Sequence, residues 1–448
     1  MGETPVTGAA RRASTTRARA QRPAPAPSRT RPPAAQGRGR DAAAGELVTL
    51  ADVQAARQEI AGIVRTTPLE PSRMLTAALG GPAWLKCENL QRAGSFKVRG
   101  AYVRIARLTP QERARGVVAA SAGNHAQGVA LAAGALGARA TVFMPVGAAL
   151  PKVAATRGYG ATVELEGDSV DESLVAARDF ADRTGAIFIH PFDHPDVIAG
   201  QGTVGLEIIE QCPEVRTIIA GVGGGGLVSG IAVAAKATTP AIRVIGVQAE
   251  GAAAVPLSLR AGSPQRVAEV RTIADGIAVG RPGELTFRHM SSLVDEVVTV
   301  SDEEISRAMV LLLERGKLLV EAAGAVGFAA LLSGKVSVET PVVAVISGGN
   351  VDPLLLVRVV EQGLAAAGRY LRFTVRCPDR PGQLAALLGL IGQQGANVDD
   401  VVHQRHDPRL QLGEVQVELS VETRGAEHSE RLVNALLAAG YQANFAPA

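Results

Sequence analysis

TIIAGVGGGGLVSGIAVAA, residues 217–235, joins an unbroken apolar run to a second apolar segment through four consecutive glycines. Thr217–Val222 lacks the in-out alternation of a half-exposed strand, so it reads as a strand covered on both faces. Leu227–Ala235 reads as the helix that follows. Consecutive glycines let the backbone come close to a phosphate, and the start of the next helix favours its negative charge. The segment also satisfies G-x-G-x-x-G from Gly221 to Gly226, and Glu250 ends the next strand at the place of a ribose-binding acid. A dinucleotide reading is therefore open here, although four successive glycines suit a single phosphate monoester better than a pyrophosphate.

Working outward, the same rhythm repeats. Strands are expected at Trp84–Cys87, Val117–Ala120, Ala140–Met144, Thr162–Leu165, Ile187–His190, Arg243–Gln248 and Val342–Ile346. Helices are expected between them at Ala126–Leu136, Ser169–Arg183 and Thr203–Gln211. Thr49 with Asp52 forms a capping box that opens a helix running to about Val64. Alternating strands and helices imply doubly wound parallel sheets in an α/β architecture, with ligands gathered beyond the carboxyl ends of the strands. After Arg369 the order changes to Leu371–Arg376 (strand), Gln383–Gln393 (helix), Val398–Arg405 and Gly413–Glu422 (strands), Ala426–Ala439 (helix) and Gln442–Phe445 (strand). This βαββαβ order is a ferredoxin-like α+β unit. The expected domains are a disordered extension at 1–46, a two-lobed body at 47–368 with a linker helix from Leu354 to Gly368, and the small unit at 369–448.

Composition narrows the function. The 448 residues are 47% apolar, 20% charged and 3% aromatic, enough for a large aliphatic core. No apolar run approaches the length of a membrane span. The net charge is +3, but the first 41 residues hold nine arginines against Glu3 and Asp41. The rest is mildly acidic, without a broad basic face for nucleic acid. An Arg-rich leader also suits a transit peptide, but its prolines oppose an amphipathic helix. Cys87, Cys212 and Cys377 lie far apart, which fits a reducing, cytoplasmic setting rather than a disulfide framework or zinc site. His190 and His194 have HxxxH spacing, yet Pro191 and Pro195 follow them directly and oppose the helix that would align both rings. No catalytic metal is expected.

Three further segments carry chemistry. Gly94-Ser95-Phe96-Lys97-Val98-Arg99-Gly100-Ala101 places a lysine after a glycine-led turn and an apolar ring, at a helix start. A partly desolvated lysine suits Schiff-base chemistry, although most lone lysines are simply solvated. Ser121-Ala122-Gly123-Asn124-His125-Ala126-Gln127-Gly128 lies between a strand and a helix, where backbone amides and small polar side chains suit a carboxylate, or merely cap the helix. Ser347-Gly348-Gly349-Asn350 ends the strand Val342–Ile346. It fits a tight turn, or a hydroxyl facing a heteroaromatic nitrogen. Together the segments ask for a phosphate, a carboxylate and an amine-reactive carbonyl, the combination that pyridoxal phosphate and an amino acid supply.

At these residues a family resemblance becomes specific. Lys86-Cys87-Glu88-Asn89-Leu90-Gln91 followed by Gly94–Ala101 resembles the cofactor-lysine segment of threonine dehydratases (threonine ammonia-lyases), members of the tryptophan-synthase-β-like, fold-type II pyridoxal phosphate group. The similarity runs in order from about Leu47 to Gly368. It implies that Lys97 holds the cofactor as a Schiff base and later takes the Cα proton. Phe96 would pack on the ring, Asn124 would bond its phenolic oxygen, and Gly223, Gly224, Gly225, Gly226 and Leu227 would grip the phosphate. Ser347 would face the pyridine nitrogen, and Ser121, Ala122, Gly123, Asn124 and His125 would form the substrate loop. The implied reaction is β-elimination from threonine to 2-oxobutanoate and ammonium, with serine as the competing substrate. In related serine racemases a serine stands where this chain has Ala122, which speaks against racemisation. Their divalent-cation acid pair is also incomplete, with Glu250 matched but Pro256 at the second position.

The last unit resembles an ACT domain, an amino-acid-sensing module, through Asp379-Arg380-Pro381-Gly382-Gln383-Leu384 and Gly395-Ala396-Asn397-Val398. The resemblance implies a branched-chain amino acid effector near Asp379, Gly382 and Asn397, and a homo-oligomer, with a tetramer suggested. Two other classes stay on the page. One is a non-catalytic amino-acid sensor, which the intact Lys97, Asn124, glycine run and Ser347 oppose. The other is an NAD-linked oxidoreductase, which leaves Lys97 and the 121–128 loop without a purpose.

Overall fold

The computed structural model describes residues 47–366, 368–405 and 410–445. The extension expected at 1–46 lies outside the described residues. The chain enters the fold through the Thr49 cap: Asp52 N donates to Thr49 Oγ1 at 3.4 Å, and Thr49 N donates to Asp52 Oδ2 at 2.9 Å. The helix so opened is Leu50–Glu59. It stops short of Val64 because Gly62 turns left-handed, with φ +79°.

Fourteen strands follow among the described residues. Leu69–Pro71 (β1) and Ala83–Cys87 (β2) begin a large sheet. Val117–Ala120 (β3), Ala140–Met144 (β4), Thr162–Leu165 (β5) and Ile187–Phe188 (β6) form a small one. Thr217–Gly221 (β7), Arg243–Ala249 (β8), Glu296–Val300 (β9) and Val342–Ile346 (β10) complete the large sheet. Tyr370–Pro378 (β11), Asn397–Gln404 (β12), Glu414–Glu422 (β13) and Gln442–Phe445 (β14) make a third.

The large sheet runs β1-β2-β10-β7-β8-β9 and the small one β5-β4-β3-β6. Every pairing in them is parallel except β1 with β2. The third sheet, β12-β13-β11-β14, is antiparallel. The expected α/β body with an appended α+β unit is thus what the chain forms.

Two strands went unanticipated. β1 is three residues long and ends in Pro71, and β9 is a half-exposed edge strand, so neither carries a buried-strand pattern. β6 is shorter than expected. The chain curls out of the sheet after Phe188, and the amides of Phe192 and Asp193 donate back to His190 Nδ1 at 3.3 and 2.8 Å. The following helix begins earlier than expected, at Pro195 rather than Thr203. His194 caps it, its Nδ1 accepting from Asp196 N at 3.1 Å, and Pro195 fills the first turn. Gly200, Gly202 and Gly205 had masked its helical character.

Topology brings distant segments together. β10 inserts between β2 and β7, pairing Ile346 with Cys87 and Ala344 with Ile219. The loops leaving β10 and β7 are therefore neighbours at one sheet edge, although more than a hundred residues separate them. Interior strands β7 and β10 are wholly buried. Each buried Val or Ile side chain stabilises the body by roughly 1.5–3 kcal/mol.

A buried ion cluster anchors the helix Lys97–Ala106 to this frame. Arg99, fully buried, donates to Glu88 Oε2 at 2.8 Å and Glu207 Oε1 at 2.7 Å. Lys86 Nζ donates to Glu207 Oε2 at 2.6 Å and to the Thr67 carbonyl at 2.8 Å. Two cations face two carboxylates, so the cluster is neutral. Burial pulls the Lys86 ammonium down, against the pull of Glu207. Such a set tolerates burial only because every charge has partners.

Candidate active site

The carboxyl ends of β3, β7 and β10 open onto one cavity of about 360 Å³. Phe96, Lys97, Asn124, Gly223–Leu227, Glu321 and Ser347 all line it. Segments far apart in the chain thus meet in one place.

Lys97 sits at the start of its helix, just after the turn Arg92–Gly94. Its side chain is half-buried and lines the cavity. Its Nζ donates to the Pro191 carbonyl at 3.0 Å and lies 5.3 Å from the centroid of the Phe96 ring. Burial pulls the ammonium down to about 8, and the nearby Glu321 carboxyl opposes that pull. Roughly a tenth of the amine is therefore free base at neutral pH, far more than for a solvated lysine.

The glycine turn faces the same cavity. Gly225 caps the helix Gly226–Thr238 in the left-handed region, with φ +98°. A Cβ on Gly224 would stand 2.4 Å from the Phe192 ring, and one on Gly225 would stand 2.7 Å from Met290 Cε. Side chains are excluded, and the main chain itself forms the wall. Among the described residues, no hydrogen bond takes the amides of Gly223, Gly224, Gly225, Gly226 or Leu227 as donors. Thr286 Oγ1 fixes the turn from behind, donating to the Gly224 carbonyl at 2.6 Å.

The loop after β3 holds Ser121 and Asn124. Gly123 N donates to Ser121 Oγ at 3.1 Å, and Asn124 begins the helix Asn124–Ala135. Asn124 Nδ2 donates to Glu321 Oε1 at 2.5 Å, and its Oδ1 accepts from Asn350 Nδ2 at 2.8 Å. Ala122 lines the cavity with a methyl group that carries no transferable proton. His125 behaves differently. Its Nε2 bonds the Ile189 carbonyl at 2.9 Å, and burial holds the ring neutral, down to about 3. Its imidazole is a tie between two elements, which leaves its main chain to face a ligand.

Ser347 is 5% exposed, and its hydroxyl donates to the Ala323 carbonyl at a long 3.4 Å. Its carbonyl accepts from Phe96 N at 3.2 Å, which couples the β10 loop to the lysine segment.

Several cavity residues escaped the sequence. Glu321, 4% exposed, is the chief one; burial and the Asp275 charge push its carboxyl up to about 7. One signal was available: a lone acid directly before the wholly apolar helix Ala322–Leu332. Lys152 and Asp275 form an ion pair at the cavity wall. The Pro191 carbonyl, as main chain, has no sequence signature.

The three expected effector residues do not converge within one chain. Asp379 follows β11 and pairs with Arg405 at 3.3 Å, and Gly382 caps the helix Gln383–Gln393. Asn397 opens β12 opposite Glu422, which in turn pairs with Tyr370 at the far end of β11. Eight residues of strand, about 26 Å, separate the two ends. Glu250, the sequence candidate for a ribose or cation ligand, lies at the protein surface 3.7 Å from Lys335.

Comparisons with known proteins agree with this geometry. The family model for pyridoxal-phosphate dependent enzymes matches residues 60–348, and the ACT domain model matches residues 371–440. An L-threonine ammonia-lyase of Thermotoga maritima is 48% identical over 397 residues, covering 88% of this chain and 99% of that one. Among solved structures, a threonine deaminase of T.th. is 42% identical with a TM-score of 0.65, covering 68% of this chain and 99% of its own. Maize serine racemase is 37% identical with a TM-score of 0.67, covering 72% and 99%.

Proposed function

This chain belongs to the pyridoxal-phosphate dependent enzymes and carries a C-terminal ACT domain, and from that premise we propose that it is an L-threonine ammonia-lyase, releasing 2-oxobutanoate and ammonium. The observation that carries the reading is the Lys97 amine, made less basic by its surroundings, sharing one cavity with tetraglycine-turn amides that donate no hydrogen bond among the described residues.

The residues present fit the cofactor. Five amides at a helix start, none of them a donor to another group among the described residues, form a cradle for a phosphate, and the close contacts at Gly224 and Gly225 explain why only glycine stands there. Phe96 offers an apolar face, Asn124 an amide N–H and Ser347 a neutral hydroxyl. When bound, pyridoxal phosphate supplies an amine-reactive carbonyl and a ring that accepts the electron pair released at Cα.

The chain's own residues divide the remaining work. Lys97 Nζ would hold the cofactor and would serve as the base for the substrate's Cα proton. Burial keeps that amine able to accept a proton near neutrality. The Ser121–Asn124 loop meets the substrate carboxylate with main-chain donors. Ser347 adds no charge opposite the ring nitrogen, which favours loss of the β-hydroxyl over wider carbanion chemistry. Ala122 offers no proton from the other face of Cα, so the likeness to a serine racemase does not extend to racemisation.

The catalytic unit spans residues 47–368 and the regulatory unit 369–448. On this reading the ACT unit holds a branched-chain amino acid between copies of the chain in a homo-oligomer. Asp379, Gly382 and Asn397, at opposite ends of its sheet, meet an effector only when contributed by two copies. Threonine and serine differ by one methyl, worth about 1–3 kcal/mol in a pocket, so serine turns over more slowly. Threonine turnover should produce 2-oxobutanoate, and Lys97→Ala should lower it by at least about 10³-fold. Undiminished 2-oxobutanoate formation by the variant would overturn the role of Lys97.

A further inference from the structure

The Asn124 amide is held by two partners of opposite polarity. Glu321 Oε1 accepts from its Nδ2 at 2.5 Å, and Asn350 Nδ2 donates to its Oδ1 at 2.8 Å. The two ends of an asparagine amide are nearly alike in shape, so hydrogen-bond polarity rather than packing decides which way it faces.

Both partners are themselves fixed. Asn350 spends its other N–H on the Ala93 carbonyl at 2.8 Å, so it has no freedom to present an acceptor instead. Ala93 lies in the turn just ahead of Lys97 and adopts φ +59°, a strained conformation that ties this bond to the lysine segment. Glu321 is clamped through its main chain, its N donating to the Gly348 carbonyl at 3.1 Å. It also lies so close to Gly348 that a Cβ there would stand 2.0 Å from Oε1. In its ionised form the Glu321 carboxyl carries no donor, so a turned Asn124 would then face oxygen against oxygen on one side and N–H against N–H on the other. Each mismatch would leave a buried polar group without its partner.

We propose that Glu321 and Asn350 are positioning residues that lock the Asn124 amide so that its second N–H, not its carbonyl oxygen, meets the ring oxygen of the bound cofactor. The inference rests on the assignment of Asn124 as a cofactor contact. A locked N–H favours the ionised form of that oxygen, the form that absorbs at longer wavelength. The lock belongs to the site as built, and it is set before any substrate arrives.

The test uses purified holoprotein with cofactor content measured separately by alkaline release. Glu321→Met removes the acceptor, Asn350→Asp reverses the polarity opposite Oδ1, and Glu321→Gln keeps an acceptor oxygen. At equal cofactor content, the ratio of visible to near-ultraviolet absorbance should fall roughly tenfold in Glu321→Met and Asn350→Asp, the factor that loss of one charge-assisted hydrogen bond implies. Glu321→Gln should retain the wild-type spectrum. Wild-type spectra in both Glu321→Met and Asn350→Asp would overturn the lock. If Glu321→Met fails to fold, Asn350→Asp decides alone, since it changes one atom in a half-buried side chain. A wild-type protein without a visible band would instead overturn the cofactor assignment itself, which separates the two failures.

Discussion

Lys97 owes its reactivity to where its amine is buried rather than to any neighbour that would withdraw its proton. Burial draws the group down to about 8 from an ordinary value of 10.5, while Glu321 works in the opposite direction. The sign follows directly. Only the free amine attacks a carbonyl, so protonation below about pH 8 removes the reactive form. The rate at which cofactor-free protein captures pyridoxal phosphate should therefore climb as pH rises through about 8 and level off above it. Stopped-flow growth of the visible band measures this; a rate that kept climbing toward pH 10.5 without levelling would show that the amine is not perturbed. The lysine, the serine and the glycine run were legible because each is a conspicuous residue at a strand-to-helix junction. Glu321 and Asn350 were not, since their importance lies in whom they touch.

The helix Lys97–Ala106 and its anchors decide how firmly that lysine is held. Arg99, two residues on, binds Glu88 from the end of β2 and Glu207 from the helix Pro195–Gln211. Its removal leaves two carboxylates short of a cation in a dry interior. Arg99→Met should destabilise the holoprotein by roughly 3–5 kcal/mol and loosen cofactor binding. Urea unfolding followed by circular dichroism checks this, and a loss below about 1 kcal/mol would mean that the cluster relaxes or admits water. The buried strands β3, β4 and β10 declared themselves in the sequence and have the expected bounds, as does the largely exposed edge strand β5. The elements that did not, β1, β9 and the first half of Pro195–Gln211, are edge strands or glycine-rich. Their stability comes from tertiary packing that local patterning does not record.

In the whole molecule, two kinds of sheet divide the tasks. Parallel sheets with loops converging at their carboxyl ends build the cavity, and an antiparallel sheet with two helices follows it. Deleting residues after Gly368 should preserve threonine turnover within about threefold and abolish any response to isoleucine or valine. Activity assays of both forms with each amino acid check this, and a response that survives truncation would place the effector elsewhere. Doubly wound topology was legible from alternation alone. The pairing of β10 between β2 and β7 was not, because nothing local records which strands become neighbours. That pairing is what carries Ser347 to Lys97. The most direct measurement is reduction of the native holoprotein with borohydride, followed by peptide mapping of the fixed cofactor. The label should be found on the peptide containing Lys97 and on no other. A label on a different lysine, or a protein that retains none, would contradict the assignment of this cavity as the site of catalysis.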